Sequence, residues 1–334
     1  MSRHYLVTGG TGFIGSYLVR RLVKDGHRVC VVDNDLRGRH HRLLEIAGEF
    51  ELMSCDVRDT TAMINAARGV DSIIHLAALN GTENFYTRPE LVLDVGIRGL
   101  YATLDAARAN GVEEFILASS SEAYQTPAVV PTPENAPLTI PDPWNPRYSY
   151  GGSKLISEII VANYLRDVFK KLIVFRPHNV YGPDMGDEHV IPQLTARAAK
   201  QCARYASGEV PFPIQGDGSQ TRSFIYIDDF IDCLMLVISN GAHRETYHVG
   251  TEDEVSIACL AEMIFAEIGR KAYLLPSDLP AGGTLRRCPE ISRIRALGFA
   301  PLVLLEDGIR RTVEWYLRAA APDMPRDRPR ALAG

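Results

Sequence analysis

The chain has 334 residues, of which 46% are hydrophobic and 23% charged, and its net charge is -5. This is the composition of a globular protein with an ample core, and its acidic balance excludes a generally basic surface for nucleic acid or a membrane. No run approaches 18 continuous apolar residues, and no signal-peptide pattern precedes the first apolar run at Tyr5, so we expect a soluble, cytoplasmic protein. The six cysteines lie far apart without metal-ligand spacing, which predicts reduced core thiols and no metal site.

The first half of the chain alternates short apolar runs with helical patterns. Strands are predicted at residues 4–8, 28–32, 50–54, 72–77, 114–120 and 171–177. Helices are predicted near residues 13–25, 59–68 and 88–109. Because parallel strands need crossover connections, this alternation predicts an α/β fold: a Rossmann-like, doubly wound parallel sheet with helices on both faces.

The second half of the chain predicts a smaller mixed α/β substrate lobe over the carboxyl edge of that sheet. Between Tyr124 and Tyr150 lie seven prolines with little periodicity, which is typical of a long functional loop. Further helices are predicted near residues 189–206, 228–240, 256–268 and 304–318. The expected domains are an NAD-binding domain over 1–177, to which 228–250 return, a lobe mainly over 178–320, and a disordered tail over 321–334.

A glycine-rich stretch, VTGGTGFIG, follows the first predicted strand and opens the first predicted helix. The spacing of Gly9, Gly12 and Gly15 lets the backbone approach a pyrophosphate, whose charge meets the free amides of the helix N-terminus. Asp33 lies 18 residues beyond Gly15, where an acid binds the ribose diol of adenosine and repels a 2′-phosphate. The stretch therefore predicts NAD as the cofactor.

Other residues at this nucleotide end leave alternatives open. Arg37 and Arg39 could meet a 2′-phosphate, which keeps NADP in view, and Asp33 could be a turn residue only. Asp56 and Val57 follow the third strand and are candidate adenine contacts, although a helix-capping role suits Asp56 nearly as well.

The segment YSYGGSK carries Tyr150 and Lys154, four residues apart, so that both side chains lie on one face of a helix. An ammonium about 4 Å from a phenol, at an effective dielectric of about 20, favours the phenolate by about 4 kcal/mol. That corresponds to about 3 pKa units, enough to bring a tyrosine from about 10 to near neutrality, where it can act as a base. By itself the pattern is weak, because solvated helix faces often show it.

Taken together, these motifs resemble the extended branch of the short-chain dehydrogenase/reductase superfamily, the nucleotide-sugar epimerases, dehydratases and decarboxylases. The resemblance covers nearly the whole chain. It rests on TGGTGFIG, HLAA at 75–78, SSSEAY at 119–124, YGGSK, RPHNVYGP at 176–183, GDGSQTRSFIYIDD at 216–229 and RRCPEI at 286–291. It implies NAD, a nucleotide-diphosphate sugar as substrate, and transient oxidation of the sugar at C4.

The resemblance also assigns roles to individual residues. Tyr150 would take the proton of the sugar hydroxyl, Ser120 would hydrogen-bond that oxygen, and Lys154 would hold the ribose and lower the pKa of Tyr150. Asn179 and Arg222 would contact the substrate, the arginine offering a charged fork to phosphate oxygens, with a surface salt bridge as its alternative role. The residues expected around NAD are Gly9, Gly12, Phe13, Ile14, Gly15, Asp33, Asp56, Val57, Leu76, Ala77, Ala78, Tyr150 and Lys154.

One position departs from the family pattern. Gly96, in DVGIRGL, stands where the family often has an asparagine. If that asparagine normally steadies the active-site strand, another group must do so in this chain.

Glu122 follows three serines at the end of the fifth predicted strand and bears on the fate of a 4-keto sugar. Simple 4-epimerases usually carry a small neutral residue there, whereas dehydratases and uronate decarboxylases resemble this chain more closely. Several dehydratases have Asp directly before the Glu, where this chain has Ser121, an expected substrate contact. Arg147, Tyr86 and Arg287 also resemble decarboxylases and are expected at the substrate, since arginines suit a sugar carboxylate.

These features favour decarboxylation of a nucleotide hexuronate such as UDP-glucuronate, with 4-epimerisation and then 4,6-dehydration as alternatives. His178 differs from the decarboxylase pattern, and a packed histidine with satisfied hydrogen bonds is its ordinary role. Glu122 could instead hydrogen-bond loop amides, and Arg147 could tie down the proline-rich loop. A catalytically silent NAD-binding protein is the alternative from another class, but such a protein would be expected to lack Tyr150 or Lys154.

The resemblance further implies a homodimer through a four-helix interface. Its helices would be those near residues 88–109 and 147–168. The second carries an apolar stripe at Ile156, Ile159, Ile160 and Tyr164, which suits burial in an interface or in the core.

Overall fold

A computed structural model describes residues 2–278 and 284–320, so the predicted tail over 321–334 lies outside the described residues. The strands are β1 (His4–Thr8), β2 (Arg28–Asp33), β3 (Glu51–Ser54), β4 (Ser72–His75), β5 (Glu114–Ala118), β6 (Lys171–Pro177), β7 (Val180–Tyr181), β8 (Val210–Gln215), β9 (Thr221–Ser223), β10 (Ile225–Tyr226), β11 (Glu245–Val249), β12 (Glu254–Ser256), β13 (Ala272–Ser277) and β14 (Arg286–Arg287). The α-helices are α1 (Phe13–Lys24), α2 (Thr60–Ala66), α3 (Thr82–Thr87), α4 (Pro89–Asn110), α5 (Ser149–Asn163), α6 (Val190–Cys202), α7 (Ile227–Asn240), α8 (Ile257–Glu267), α9 (Ser292–Ala296) and α10 (Leu305–Ala319).

Seven strands form a central sheet in the order β11-β6-β5-β4-β1-β2-β3, and every pairing in it is parallel. The predicted Rossmann-like α/β fold is confirmed. β11 lies within the segment 228–250 and pairs with β6, while β12, β9 and β14 form a separate small sheet. The division of the chain into two domains stays a prediction.

Apolar side chains fill both faces of the central sheet. α2, α4 and α5 contribute to the core on one face, and α1 and α7 to the core on the other. Phe115 and Phe175 lie fully buried on opposite faces, and burying each ring contributes about 1.5–3 kcal/mol. Two helical layers around one sheet place the strand ends, and not their faces, at the surface where a site can form.

Several predicted elements differ from the observed ones. The strands predicted at 72–77 and 114–120 end at His75 and Ala118, two residues earlier than predicted. The helix predicted over 147–168 is α5, preceded by a short 3-10 turn at Pro146–Tyr148. α3 was not predicted from the sequence; it has only six residues and begins after Gly81, whose φ is 113°.

Two further expectations concern solubility and the cysteines. Within the described ranges, no helix combines the length and apolarity needed to cross a membrane. All six cysteines are free, but Cys259 is exposed on α8, so the prediction of core thiols is wrong at this position.

Candidate active site

The carboxyl ends of the parallel strands bring the predicted site residues to one edge of the sheet. β1 leads into the glycine-rich loop, and β2 ends at Asp33. β5 leads into the serines and Glu122, and β6 leads to Asn179. Open α/β sheets bind their ligands at this edge, so the topology defines where chemistry can occur.

The glycine loop leaves no room for side chains. Gly9 has φ 73°, and a Cβ there would lie 3.0 Å from the backbone nitrogen of Ala77. A Cβ on Gly15 would lie 2.1 Å from the Gly9 carbonyl oxygen. α1 begins directly after Gly12, with no side chain capping its first turn, so the amides of its first residues are available to an anion. This cradle fits the pyrophosphate of NAD.

Asp33 lies beside the glycine loop. Its carboxylate accepts hydrogen bonds from the amides of Thr11 (3.1 Å) and Asp35 (2.9 Å), while burial raises its pKa. Gly38 packs against Thr11 and Asp33, because a Cβ on Gly38 would lie 1.9 Å from Thr11 Oγ1. Arg37 Nη2 lies 3.1 Å from Glu188 Oε2, so this arginine already has a carboxylate beside it. The alternative that Arg37 or Arg39 meets a 2′-phosphate stays a prediction.

The other expected cofactor contacts have partners within the protein. Asp56 Oδ2 is 2.6 Å from Arg58 Nη2, and hydrogen bonds from Arg58 lower its pKa. The alternative role of Asp56 as a helix cap is wrong, because Asp59 caps α2 by accepting from the Ala62 amide. The Val57 side chain is buried against α4, where a Cβ on Gly99 would meet it at 2.6 Å, so only its backbone could contact a base.

The segment after β4 packs onto the glycine loop. The Leu76 amide donates to the Thr8 carbonyl, and the Ala77 amide donates to Thr8 Oγ1, both at 3.2 Å. Leu76, Ala77 and Ala78 thus form the wall beside Gly9.

Tyr150 is 8% exposed and lies at the start of α5. Burial raises its pKa to about 12; the hydrogen-bonding interaction with Ser120 opposes the rise, the Glu122 charge adds to it, and the Arg37 charge opposes it. Phe85 stacks on the phenol ring, with centroids 5.1 Å apart and planes 11° apart. The ring is therefore packed against Phe85, and burial favours the neutral phenol.

Lys154 does not act on Tyr150 as the sequence predicted. Its Nζ is 5.7 Å from the Tyr150 ring centroid and donates to the Ala118 carbonyl at 2.7 Å, and burial lowers the pKa of the lysine to about 8. The expectation that Lys154 brings the tyrosine pKa near neutrality is wrong for this arrangement. The lysine instead links α5 to the end of β5. Gly96 allows α4 to pack closely on α5, because a Cβ on Gly96 would lie 3.1 Å from Ser153 Cβ.

The serine-rich strand end forms a tight 3-10 turn at Ser121–Tyr124. Ser120 caps this turn, its Oγ accepting from the Glu122 amide at 3.1 Å. Ser121 is 5% exposed, and Ser119 donates to the Glu158 carboxylate. The turn directs Glu122 toward Arg287 in the small sheet formed by β12, β9 and β14.

Glu122 meets arginines from other parts of the chain. Arg287 Nη1 lies 2.6 Å from one carboxylate oxygen, and Arg147 Nη2 lies 3.8 Å from the other. Burial alone would raise the pKa of Glu122, but the charges of Arg287, Arg147 and Arg222 outweigh it and hold the pKa below its usual value. Glu122 is therefore an ionised carboxylate in a cationic pocket, and not a residue that only hydrogen-bonds loop amides.

Arg222 and Asn179 are both anchored to backbone carbonyls. Arg222 Nη2 donates to the Thr284 carbonyl at 2.6 Å, and burial, with the nearby Arg287 charge, lowers its pKa to about 10. The alternative that Arg222 makes a surface salt bridge is wrong. Asn179 Nδ2 donates to the Ser223 carbonyl at 2.8 Å, which leaves the side-chain oxygen and the second N–H of the amide for other partners.

Tyr86 and His178 differ in part from what the sequence predicted. Tyr86, the expected substrate contact, is 47% exposed, and its neighbour Phe85 is the ring that packs on Tyr150. His178 is packed as expected, against His248 at a ring distance of 4.7 Å, but both its ring nitrogens lack hydrogen-bond partners in the described structure. The segment NFYTRP has the Phe85 and Tyr86 rings next to each other, and the sequence does not show which of the two faces inward.

Comparisons with known proteins agree with this geometry. A model of the NAD dependent epimerase/dehydratase family matches residues 5–250, so the chain belongs to this family and is an NAD-dependent enzyme. The UDP-N-acetyl-alpha-D-glucosaminuronate decarboxylase of Bacillus cytotoxicus is 30% identical, over 95% of this chain and 98% of that protein.

Two solved structures are similar along nearly the whole chain. The UDP-glucose 4-epimerase of Thermotoga maritima, solved with UDP-glucose, has a TM-score of 0.82 at 27% identity, over 95% of this chain and 99% of that one. The dTDP-glucose 4,6-dehydratase of Streptomyces venezuelae, solved with NAD, has a TM-score of 0.82 at 28% identity, over 94% and 97% of the two chains. Proteins with this fold thus carry out different reactions, so the reaction of this chain must be inferred from its site residues.

Proposed function

We propose that this enzyme decarboxylates a nucleotide-linked hexuronate of the UDP-glucuronate type. The observation that carries the proposal is the cationic pocket around Glu122. Arg147, Arg222 and Arg287 face a single carboxylate, which leaves an excess of positive charge for an anionic substrate. A nucleotide hexuronate brings two kinds of anion, a diphosphate and a sugar carboxylate, and arginine forks suit both.

The ionisation of Glu122 separates decarboxylation from dehydration. Loss of water across C5 and C6 needs a neutral acid to protonate the departing hydroxyl. Glu122 is held as a carboxylate, and Ser121 beside it carries no carboxyl group. Decarboxylation needs no acid for a departing hydroxyl, because the electrons of the breaking C5–C6 bond pass to the 4-keto oxygen and give an enolate. C5 of this enolate then takes a proton from water before the hydride returns to C4 and Tyr150 returns its proton to the C4 oxygen.

The residues of the chain have distinct tasks in this scheme. When bound, NAD supplies the hydride acceptor for C4 of the sugar and later returns the hydride. Tyr150, as the phenolate, takes the C4 hydroxyl proton; the positive charge of the oxidised nicotinamide would favour that ionisation when NAD is bound, against the effect of burial on the Tyr150 pKa. Together with Ser120 it then hydrogen-bonds the oxygen that becomes negative as carbon dioxide leaves. Arg287 and Arg147 orient the sugar carboxylate, and the charge of Glu122 beside it favours its departure.

Mass spectrometry with chromatography tests the reaction. The enzyme would be mixed with UDP-glucuronate, UDP-glucose, UDP-N-acetylglucosamine and GDP-mannose. We expect loss of carbon dioxide from the uronate, and at least about 100-fold slower loss with Glu122→Gln. Glu113→Gln, a change at an exposed ion pair with Lys170, is the matched control and should turn over normally.

Other products would contradict the proposed decarboxylation and identify another reaction. An isomer of unchanged mass would identify a 4-epimerase, and loss of water would identify a dehydratase. NAD recovered from an enzyme that turns over none of these sugars would favour the catalytically silent protein. Unchanged turnover by Glu122→Gln would remove Glu122 from the chemistry.

We also propose that the enzyme is a homodimer through α4 and α5. Ile156, Ile159 and Tyr164 are 44%, 53% and 42% exposed on α5, whereas Ile160 is buried in the core. The Tyr164 ring meets Tyr101 of α4 edge-on, with centroids 5.0 Å apart. The exposed part of the stripe therefore continues across both helices, which supports the four-helix arrangement.

A further inference from the structure

Gln125, the residue that follows the 3-10 turn at Ser121–Tyr124, has a strained backbone. Its φ is 54° and its ψ is -101°, and the residue is 4% exposed. Residues other than glycine rarely adopt a positive φ, and this ψ also lies outside the left-handed helical region. Such strain persists only where surrounding contacts impose it, and it occurs most often at functional sites. The strain at Gln125 therefore points to a role in the neighbouring site.

The Gln125 side chain folds back onto the turn that carries Glu122. Its Nε2 donates to the Glu122 carbonyl at 2.6 Å, and its backbone amide donates to the same oxygen at 3.3 Å. The Glu122 amide donates in turn to Ser120 Oγ at 3.1 Å. Both backbone polar groups of Glu122 are therefore held by neighbouring residues, which fixes the direction in which its carboxylate leaves the turn.

The first turn of α5 packs directly on the amide group of the Gln125 side chain. A Cβ on Gly151 would lie 2.2 Å from Gln125 Nε2 and 2.7 Å from the Glu122 carbonyl oxygen. Gly151 directly follows Tyr150 at the start of α5. The Gln125 amide group is thus enclosed between the turn that carries Glu122 and the helix that carries Tyr150.

A second set of contacts joins Gln125 to the arginine that pairs with Glu122. Thr284 Oγ1 donates to the Gln125 carbonyl at 3.2 Å and accepts from Arg287 Nη2 at 3.1 Å. Arg287 Nη1 donates to Glu122 Oε1 at 2.6 Å. Thr284 is 5% exposed. Glu122, Gln125, Thr284 and Arg287 therefore form a closed, buried ring of hydrogen bonds.

We propose that Gln125 and Thr284 are positioning residues that hold Glu122 and Arg287 in the geometry needed for the step after oxidation at C4. The inference rests on the proposed decarboxylation, in which Glu122 acts beside the sugar carboxylate. Because hydrogen bonds are directional, the Gln125 amide group sets the backbone of Glu122, and the Thr284 hydroxyl sets the guanidinium of Arg287. Neither side chain has to touch the substrate for this role.

Steady-state kinetics and unfolding temperatures of paired variants test the role of Gln125. Gln125→Met keeps the length and the strained backbone but has no amide group, whereas Gln125→Gly also relieves the strain. Both should lower kcat at least about tenfold and change KM for the sugar nucleotide less. The Tm of Gln125→Gly should be at or above that of Gln125→Met. Turnover that recovers in Gln125→Gly in step with Tm would show that Gln125 only maintains the fold.

A double variant tests whether Gln125 acts through Glu122. Gln125→Met combined with Glu122→Gln should turn over within about twofold of Glu122→Gln alone, because the position of a carboxylate has no effect once that carboxylate is removed. If the two losses multiply instead, Gln125 acts elsewhere and the proposal is overturned.

The hydroxyl of Thr284 is tested by a pair of substitutions. Thr284→Val removes the hydroxyl and should lower kcat several-fold, while Thr284→Ser keeps it and should retain turnover. Equal losses in both variants would overturn the role of Thr284. Gln201→Met, at a half-buried residue near the end of α6, is the matched control for Gln125→Met and should turn over like the wild type.

The identity of the product and the pattern of losses are separate results. An isomer or loss of water would overturn the decarboxylation, and the single and double variants would then be compared with that product. Multiplied losses with carbon dioxide as a product would overturn the positioning roles alone.

Discussion

Replacing Arg287 with glutamine tests whether this arginine keeps Glu122 ionised. The two side chains are 9% and 21% exposed, and their closest N–O distance is 2.6 Å. Breaking a buried ion pair by removing one partner costs about 3–5 kcal/mol. With an unfolding entropy of about 2.1 cal/mol/K per residue, that is a fall of about 4–7 °C in Tm for a chain of 334 residues.

The fall in Tm caused by Arg287→Gln should be greater at higher pH. In the wild type, the pKa of Glu122 is below its usual value, so ionisation stabilises the fold, and this contribution is lost as pH falls through the folded pKa. Without Arg287, burial shifts the pKa upward, and the variant gains stability as pH falls through the raised value. The loss of stability should therefore be larger near about pH 8 than near about pH 5.

Thermal unfolding followed by circular dichroism would measure this at both pH values. In the double variant with Glu122→Gln the carboxylate that lost its closest partner is removed as well, so the double variant should be more stable than Arg287→Gln at the higher pH. Arg286→Gln is the control, because Arg286 makes an exposed pair with Glu254 and its loss should leave Tm nearly unchanged. Equal losses at both pH values, or no rescue in the double variant, would refute the electrostatic reasoning.

Two further predictions concern packing and assembly. Gly151→Ala places a Cβ 2.7 Å from the Glu122 carbonyl oxygen and should lower turnover at least about tenfold by shifting that turn, whereas Gly152→Ala, with its nearest neighbour 3.6 Å away, should not. Full activity in Gly151→Ala would contradict the close approach of α5. Ile159→Lys should convert the dimer to a monomer in light scattering, while Leu302→Lys, at a residue that is 80% exposed elsewhere, should not. A wild-type monomer at micromolar concentration would rule out the interface.

Local patterns in the sequence predicted the sheet and the cofactor cradle because these are set by local rules. Buried parallel strands need continuous apolar runs, and a pyrophosphate needs glycines where side chains would collide. Gly15 shows this directly, since a Cβ there would lie 2.1 Å from the Gly9 carbonyl. Such constraints act within about ten residues and are therefore legible in the sequence.

The electrostatics of the site could not be predicted in this way. Spacing put Lys154 on the same helix face as Tyr150, but it could not show that the ammonium reaches down to the Ala118 carbonyl. The pair of Glu122 with Arg287 joins residues separated by 165 positions, and only the folded chain brings them together. Pairings over such distances are fixed by topology, which a local pattern does not encode.

The same long separation determines when the site is completed during synthesis. The segment that matches the family model ends at residue 250. The residues up to that point contain the whole central sheet, Tyr150 and Glu122. Arg287 leaves the ribosome only after this sheet has emerged, and until then only Arg147 and Arg222 oppose the effect of burial on the pKa of Glu122. The ribosome therefore completes the strands that carry the cofactor cradle before it completes the cationic pocket, whose closest arginine to Glu122 comes from beyond residue 250.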